Sequence, residues 1–250
     1  MASEYFTDAI SYTRIKVLER FDSAPIGPAS KNHGEVQVNT QVVGFKKIKF
    51  HTMENVGDGK LTLPEQEMHT TAFWLTLPRD LMGSLPYGST ERLDGVNGLA
   101  NALEAVGTLL VMCDARDLGV AVGENEESRI QDSGFGIQDK EQDLSSLAAD
   151  DDQSKIQNLK FKIGGSALQV AVVAFEPNIY LYDKYPGGVG LSEPLFRMSQ
   201  SLLEKTQKLI ADCPCASGCP SCVGPIGEVG EKGKEVALEI LRRLSVVSGP

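Results

Sequence analysis

Four of the chain's five cysteines lie within ten residues, in the sequence CPCASGCPSC at positions 213–222. Their spacing is C-x-C-x3-C-x2-C, and prolines and a glycine lie between them. Thiols this close in sequence can form disulfides, a redox-active pair or a metal site. Because each possibility demands a different backbone around the cysteines, this cluster constrains the fold more than any other feature of the sequence.

A metal site fits the cluster best. Disulfides fit poorly, because Cys213 and Cys215 are too close for a comfortable bridge and no matching set of thiols lies elsewhere in the chain. A redox pair at Cys219 and Cys222 would normally open a helix after a strand, and it would not need the other two cysteines. Four thiolates on two short knuckles can surround one ion tetrahedrally, and zinc is the usual occupant. We therefore predict one zinc ion with no open coordination position, in a structural role.

Acidic residues are concentrated in one segment. Residues 124–153 contain ten Asp or Glu and two basic residues, so this segment carries most of the net charge of −10. It is polar and has no hydrophobic period, which predicts a disordered, solvated insertion over residues 124–155. The rest of the chain is nearly neutral, so the total charge neither supports nor excludes a DNA partner.

No apolar run is long enough to span a membrane, and no signal peptide is visible, so no membrane partner is expected. The clustering of the thiols is unlike a secreted disulfide framework and favours a reducing compartment.

Alternation of apolar and polar residues predicts β-strands in the first third of the chain. The predicted strands cover residues 14–21, 35–51 and 60–78. Their buried faces are expected at Val36, Val38, Ile48, Phe50, Phe73, Leu75 and Leu77. The intervening segments SKNHGE (30–35) and NVGDGK (55–60) have turn chemistry, so we expect an antiparallel meander.

Helical periodicity follows the strands. Apolar residues at helical spacing predict one helix over residues 93–110, a second from Leu191 to Leu202 and a last one from Ala237 to Leu244. A second strand pair, residues 168–175 and 178–185, is predicted between them, with a turn at residues 176–178. The fold class is therefore α+β: an antiparallel strand meander plus helices, with a four-cysteine zinc knuckle between the last two helices. We predict one domain over residues 4–246, interrupted by the insertion at 124–155.

The stretch YLYDKYPGGVGL (180–191) could carry chemistry. A glycine-rich turn from a strand into a helix can bind an anion at the helix N-terminus, or it can be only a tight connection. Asp183, together with Asp114 and Asp117, could form the carboxylate cluster of a metal-dependent nuclease. Nothing in the spacing brings these residues together, and they could equally cap helices or pair with Arg116.

Other polar features are less specific. Lys47, Lys49 and His51 share one predicted strand face, which could contact a phosphate backbone or simply be solvated. Cys113 follows an apolar helical run and is most simply a core residue. GEVGEKGKE (227–235) has the wrong spacing for a P-loop. We therefore assign no catalytic residue and no nucleotide site.

Four motifs in the sequence belong together: EMHTTAFWLTLP (67–78), MCDARDLGV (112–120), LYDKYPGGVGL (181–191) and CPCASGCPSCVGP (213–225). In this order they resemble the MZB zinc-binding domain at the C-terminus of MrfA-type and Hrq-type superfamily-two DNA helicases. The resemblance runs from about Tyr5 to Leu244 and omits only the acidic insertion. It implies a module of a 3′-to-5′ helicase that repairs cross-linked or bulky DNA lesions, and it implies that Cys213, Cys215, Cys219 and Cys222 bind zinc.

The resemblance also implies partners and a missing motor. The chain would be a C-terminal fragment, monomeric and inactive alone, that supports the motor domains of its parent chain and the passage of DNA. ATP and Mg²⁺ would bind only in those motor domains. One alternative is an interaction module that recruits repair partners through the acidic segment, and a weaker one is a free-standing enzyme that uses Asp183. The length of the insertion favours a eukaryotic, nuclear parent, and otherwise we expect a cytoplasmic or nucleoid protein.

Overall fold

The computed structural model describes residues 4–52, 54–124 and 176–245. The strands are β1 (Tyr5–Ile26), β2 (Ala29–Lys49), β3 (Asn55–Lys60), β4 (Gln66–Thr76), β5 (Leu118–Glu124) and β6 (Pro177–Asp183). The helices are α1 (Arg79–Gly83), α2 (Ser89–Val111), α3 (Ser192–Arg197), α4 (Ser199–Asp212), α5 (Ile226–Val229) and α6 (Gly233–Ser245). None of these helices is long and apolar enough to cross a membrane.

The residues that the structure describes all belong to one compact unit. The strand predicted at 168–175 lies outside the described residues, and so does the predicted insertion apart from Glu124, the last residue of β5. The single domain over residues 4–246 therefore stays a prediction.

One antiparallel sheet organises this unit. Its strand order is β1-β2-β4-β6-β5, and β3 pairs with the far end of β2. Every pairing between neighbouring strands is antiparallel. The α+β class with an antiparallel sheet is confirmed.

The first hairpin turns earlier than predicted. β1 and β2 connect through Gly27 and Pro28, and Gly27 has a φ of 58°. The predicted turn at 30–35 is wrong, because this segment lies inside β2. Gly34 is needed there for a different reason: a Cβ atom would overlap the carbonyl oxygen of Glu19 in the neighbouring strand, beside an irregularity in the β1–β2 register. This glycine therefore allows two strands to approach closely.

The second predicted turn, residues 55–60, is also wrong, because it forms β3. Gly59 faces the ring of Phe45 in β2, which a Cβ atom would overlap. The side chain of Asn55 accepts a 3.0 Å hydrogen bond from the backbone N–H of Gly57. Residues that read as turn formers thus make room for an aromatic ring and satisfy the backbone of a short edge strand.

The buried faces are confirmed near the centre of the sheet and are wrong at the end of β2. Phe50 lies beyond the end of β2 and is 44% exposed, and Ile48 is only partly buried. The ring of Phe50 contacts that of Phe6, with centroids 5.4 Å apart. The far end of the hairpin extends beyond the core, so alternation in the sequence does not produce burial there.

The core occupies both faces of the sheet. Phe73, Leu75 and Leu77 pack with the helices on one face. The other face carries a smaller cluster, formed by Val36, Val38, Ala72, Trp74, Tyr180 and Tyr182. Because β4 is covered on both sides, its residues 72–75 are all buried, as in strands at the centre of a layered domain.

The sequence does not predict β5, the strand at one edge of the sheet. β5 contains two glycines in seven residues, which weakens its strand pattern. At one of them, Gly119, a Cβ atom would overlap the ring of Tyr182 on β6. Pro177 and Asn178, predicted as a turn, are the first residues of β6 and pair with the end of β5.

The predicted helices are present, with one division. The helix expected from Leu191 to Leu202 is split at Met198 into α3 and α4. The Lys31 ammonium lies at the division and donates to the Phe196 carbonyl and the Ser199 hydroxyl, at 3.0 Å each. This lysine donates to a carbonyl group that loses its intrahelical partner where the first helix ends.

α2 and α6 pack closely because small residues face α6. At Gly95 of α2, a Cβ atom would overlap the side chain of Val236.

We expect Gly95→Ala to lower the free energy of unfolding by about 1–3 kcal/mol through overpacking. Gly83→Ala is the control, because nothing lies within 4 Å of a Cβ atom there. Both substitutions gain the higher helix propensity of alanine over glycine, so only the overlap at Gly95 distinguishes them. Urea denaturation of both variants measures the difference, and equal stability of the two would contradict close helix packing.

Candidate metal centre

The cysteine cluster lies between α4 and α6, as predicted. α4 ends at Asp212, and Cys213 already has an extended backbone. The cysteines form two pairs along the chain, a first pair of Cys213 and Cys215 and a second pair of Cys219 and Cys222. The second pair lies in a tight turn, in which the backbone N–H groups of Cys222 and Gly224 both donate to the Cys219 carbonyl at 3.0 Å. Gly218 and Gly224 have φ angles of 142° and 109°, which residues with side chains rarely adopt. The glycines therefore allow the chain to fold back and bring the two cysteine pairs together.

The four sulfur atoms form a compact group. Four of the Sγ–Sγ distances are 3.5, 3.5, 3.5 and 3.6 Å, and all four atoms lie within 4.8 Å of one another. Zn–S bonds of about 2.3 Å in a tetrahedron require sulfur atoms about 3.8 Å apart. The cysteines are free thiols, not disulfides. Both the donor atoms and their separation therefore fit zinc.

The thiols differ in their tendency to ionise. Hydrogen bonding, first of all from the backbone N–H of Ser221, lowers the pKa of Cys219 to about 7. Burial is the main reason that the pKa of Cys222 is raised to about 12. A divalent cation binds cysteine as the thiolate, so it would favour the ionised form at both positions.

The knuckle is anchored to the core. Cys222 and Val223 are buried, and Gly98 of α2 lies directly against Val223. The side-chain amide of Asn101, one turn further along α2, donates to the Val223 carbonyl at 3.1 Å. The cysteine cluster is therefore part of the folded unit and not a separate appendage.

Lys234 contacts the first cysteine pair and was missed by the sequence analysis. Its ammonium donates to the carbonyl oxygens of Cys213 and Cys215 at 2.6 Å each, and its distance to the Cys215 sulfur is 3.6 Å. The residue lies in the segment GEVGEKGKE (227–235), whose spacing excludes a P-loop. Its distance of 12 residues from Cys222 gave no sign of this contact, which depends on how α6 packs.

The glycine-rich turn after β6 is filled from within the protein. The Asp183 carboxylate is fully buried, and its Oδ2 accepts hydrogen bonds from the backbone N–H groups of Val189, Gly190 and Leu191 at 2.7, 2.8 and 3.1 Å. These are the donors that a bound anion would have used. The geometry therefore favours a tight structural connection over an anion site.

The proposed nuclease cluster is wrong for the described residues. There, the four cysteines are the only group of three or more His, Cys, Asp or Glu side chains placed to share a metal ion. Asp114 bonds to Arg116, and Asp117 accepts a 2.6 Å hydrogen bond from the Tyr185 hydroxyl. Asp183 is committed to the turn described above. These carboxylates therefore organise loops.

The remaining candidates are dispersed. Cys113 is partly buried against the main core, in agreement with a packing role. His51 does not share the strand face of Lys47 and Lys49, because it follows the end of β2 and has a φ of 72°. The Lys47 ammonium lies 5.5 Å from the centre of the Tyr5 ring. Contact of these lysines with phosphate stays a prediction.

Residues 153–223, which include all four clustered cysteines, match the model of the MZB family, described as the MrfA Zn-binding domain. The resemblance to the MZB domain is confirmed. The chain is also 33% identical over 242 residues to the uncharacterized ATP-dependent helicase YprA of Bacillus subtilis, which aligns 97% of this chain with 26% of YprA. The uncharacterized protein MJ1572.1 of Methanocaldococcus jannaschii is 37% identical over 71 residues, which are 26% of this chain and 62% of that protein.

Solved structures agree with this MZB match. A crystal structure of the DUF1998 helicase MrfA bound to DNA superimposes with a TM-score of 0.58 at 31% identity, covering 98% of this chain and 26% of that chain. A second crystal structure of MrfA, at 24% identity, has the same fold with a TM-score of 0.53 and covers 93% and 24% of the two chains. This chain therefore spans about a quarter of the length of YprA and of MrfA.

The buried carboxylate makes Asp183 sensitive to a neutral substitution. In Asp183→Asn the amide oxygen can replace Oδ2, but the amide nitrogen then occupies the position of Oδ1, which is buried and has no hydrogen-bond partner among the described residues. We expect a loss of about 1–3 kcal/mol of unfolding free energy, with faster hydrogen exchange in residues 189–191. Asp114→Asn, at an exposed loop position, serves as the control. An Asp183→Asn variant as stable as Asp114→Asn would contradict a structural role for the carboxylate.

Proposed function

We propose that this chain is the C-terminal zinc-binding accessory domain of an ATP-dependent 3′-to-5′ DNA helicase, where it supports the motor domains and the passage of the DNA strand. The observation that carries the proposal is similarity to a helicase over 97% of this chain. Because the chain corresponds to only about a quarter of YprA and MrfA, the ATP and Mg²⁺ sites would lie in further domains of a longer parent. The partners of this domain are then those motor domains and DNA.

A single zinc ion, bound by Cys213, Cys215, Cys219 and Cys222, would have a structural role. Four thiolates complete a tetrahedral shell and leave no position for water or substrate. The ion would fix the chain between the end of α4 and the start of α6. A large core exists independently of the metal, so its removal should loosen residues 213–225 and the start of α6 and leave the sheet folded.

The proposed cellular role is repair of cross-linked or bulky DNA lesions. Its support is the resemblance to MrfA-type and Hrq-type helicases, together with the similarity of this chain to part of MrfA in a crystal structure in which MrfA is bound to DNA. The alternative role is recruitment of repair partners through the acidic segment. It depends on residues outside the described part of the chain. A nuclear location in a eukaryotic parent stays a prediction.

Cysteine substitutions test the metal assignment. We expect one zinc per chain in the unmodified protein, and we expect Cys219→Ser to release it because three thiolates bind zinc more weakly than four. Cys113→Ser is the matched control, because Cys113 is a free thiol far along the chain from the cluster, and it should retain zinc. Elemental analysis of the three purified proteins measures the content. Full zinc in Cys219→Ser, or none in the unmodified protein, would disprove the assignment.

Binding and turnover assays test the role in a helicase. We expect this chain alone to hydrolyse no ATP. We also expect it to bind single-stranded DNA, with an affinity that decreases when the salt concentration is raised from about 50 to about 200 mM, as phosphate contacts require. Fluorescence anisotropy measures binding, and the longer parent provides the positive control for ATP hydrolysis. ATP turnover by this chain would contradict the accessory role. Absence of DNA binding together with capture of a repair protein would favour the recruitment role.

A further inference from the structure

Lys234 is a buried cation without an anionic side chain beside it. It is only 8% exposed, and among the residues that the structure describes no carboxylate forms an ion pair with it. Its neighbours in sequence do have partners: Lys232 pairs with Glu91 at 2.7 Å, and Glu235 accepts a hydrogen bond from Tyr87. Burying an ammonium group is costly unless negative charge or a complete set of acceptors compensates.

The position of Lys234 in its helix increases this cost. It is the second residue of α6, where the partial positive charge of the helix N-terminus disfavours a cation. A lysine at this position would normally extend into solvent. Here the side chain instead turns towards the cysteine knuckle, so the compensating charge should be found there.

The acceptors of Lys234 all belong to the first cysteine pair. Its three N–H protons match three acceptors, the carbonyl oxygens of Cys213 and Cys215 and the sulfur of Cys215. Four neutral thiols would offer no negative charge. A divalent ion bound by four thiolates carries a net double negative charge, and a lysine in contact with one thiolate offsets half of it.

We propose that Lys234 is the counter-charge of the zinc–thiolate centre and the residue that positions its first cysteine pair, Cys213 and Cys215. This inference rests on the proposed zinc site. The ammonium holds the two carbonyl groups so that the sulfurs of Cys213 and Cys215 face the metal, and its contact with the Cys215 sulfur stabilises the thiolate. Because Lys234 belongs to α6, the same contacts couple the presence of the metal to the docking of that helix.

The test compares three variants of the complete 250-residue chain. Lys234→Met removes the charge and keeps an unbranched side chain that is one atom shorter. Lys234→Arg keeps the charge, and Lys232→Met removes the exposed charge that pairs with Glu91. Zinc retention is measured by competition with a chromophoric chelator, and each protein is also loaded with Co²⁺ to record its sulfur-to-metal charge-transfer band.

We expect Lys234→Met to lose zinc about tenfold to a hundredfold more readily than the unmodified protein, the usual effect of losing a group that supports metal ligands. Its Co²⁺ charge-transfer band should move to lower energy, because a thiolate without its N–H donor is oxidised more easily. Lys232→Met should match the unmodified protein in both measurements. Lys234→Arg should recover most of the retention.

The outcomes separate this inference from the zinc proposal. An unmodified protein that binds neither Zn²⁺ nor Co²⁺ would overturn the metal site and this inference with it. A metal-loaded protein whose Lys234→Met variant retains zinc and keeps the Co²⁺ spectrum would overturn only the role of Lys234. If Lys234→Met does not fold, Lys234→Arg decides: retention of zinc within a few-fold supports the counter-charge, and complete loss of zinc overturns it.

Discussion

The contact of α2 with the C-terminal segment is the constraint on which the position of the cysteine cluster depends. Three residues of α2 spaced by three positions face this segment: Gly95 admits α6, Gly98 lies against Val223, and Asn101 holds the Val223 carbonyl. One helix face therefore positions both the helix that carries Lys234 and the turn that carries Cys222. Larger residues on that face would move these two elements away from each other, and the contacts of Lys234 with Cys213 and Cys215 would be lost.

The glycine-rich turn after β6 is also positioned by a contact within the chain, in this case between backbone N–H groups and a carboxylate. Its three consecutive backbone N–H groups point at one carboxylate oxygen, and the short segment between Asp183 and α3 closes on itself. A phosphate on an external ligand and a carboxylate of the same chain satisfy such donors equally well, because both supply anionic oxygen. A motif of this kind therefore identifies a need for negative charge and does not tell where the charge comes from.

The sequence predicts those parts of the molecule that are determined locally. The long helix α2 and the central strands follow from hydrophobic periods over many residues, and the cysteine cluster follows from ligands within ten positions. The errors occur where a residue serves a distant partner. Gly34 and Gly59 resemble turn residues but make room for a neighbouring strand and for Phe45. Lys234 could not be assigned, because its contact with the knuckle exists only after α6 has packed.

The position of β6 in the sheet has a consequence for the order in which the chain folds. β1, β2 and β4 are close in sequence and can pair early, whereas β6 joins β4 only when Ala72 meets Tyr182, 110 residues later. Closing so large a loop is slow, since much chain entropy is lost before the new contacts form. During synthesis on a ribosome, one edge of β4 therefore stays without its partner until residues 177–183 have emerged, and in that interval the exposed strand edge is open to pairing with other chains.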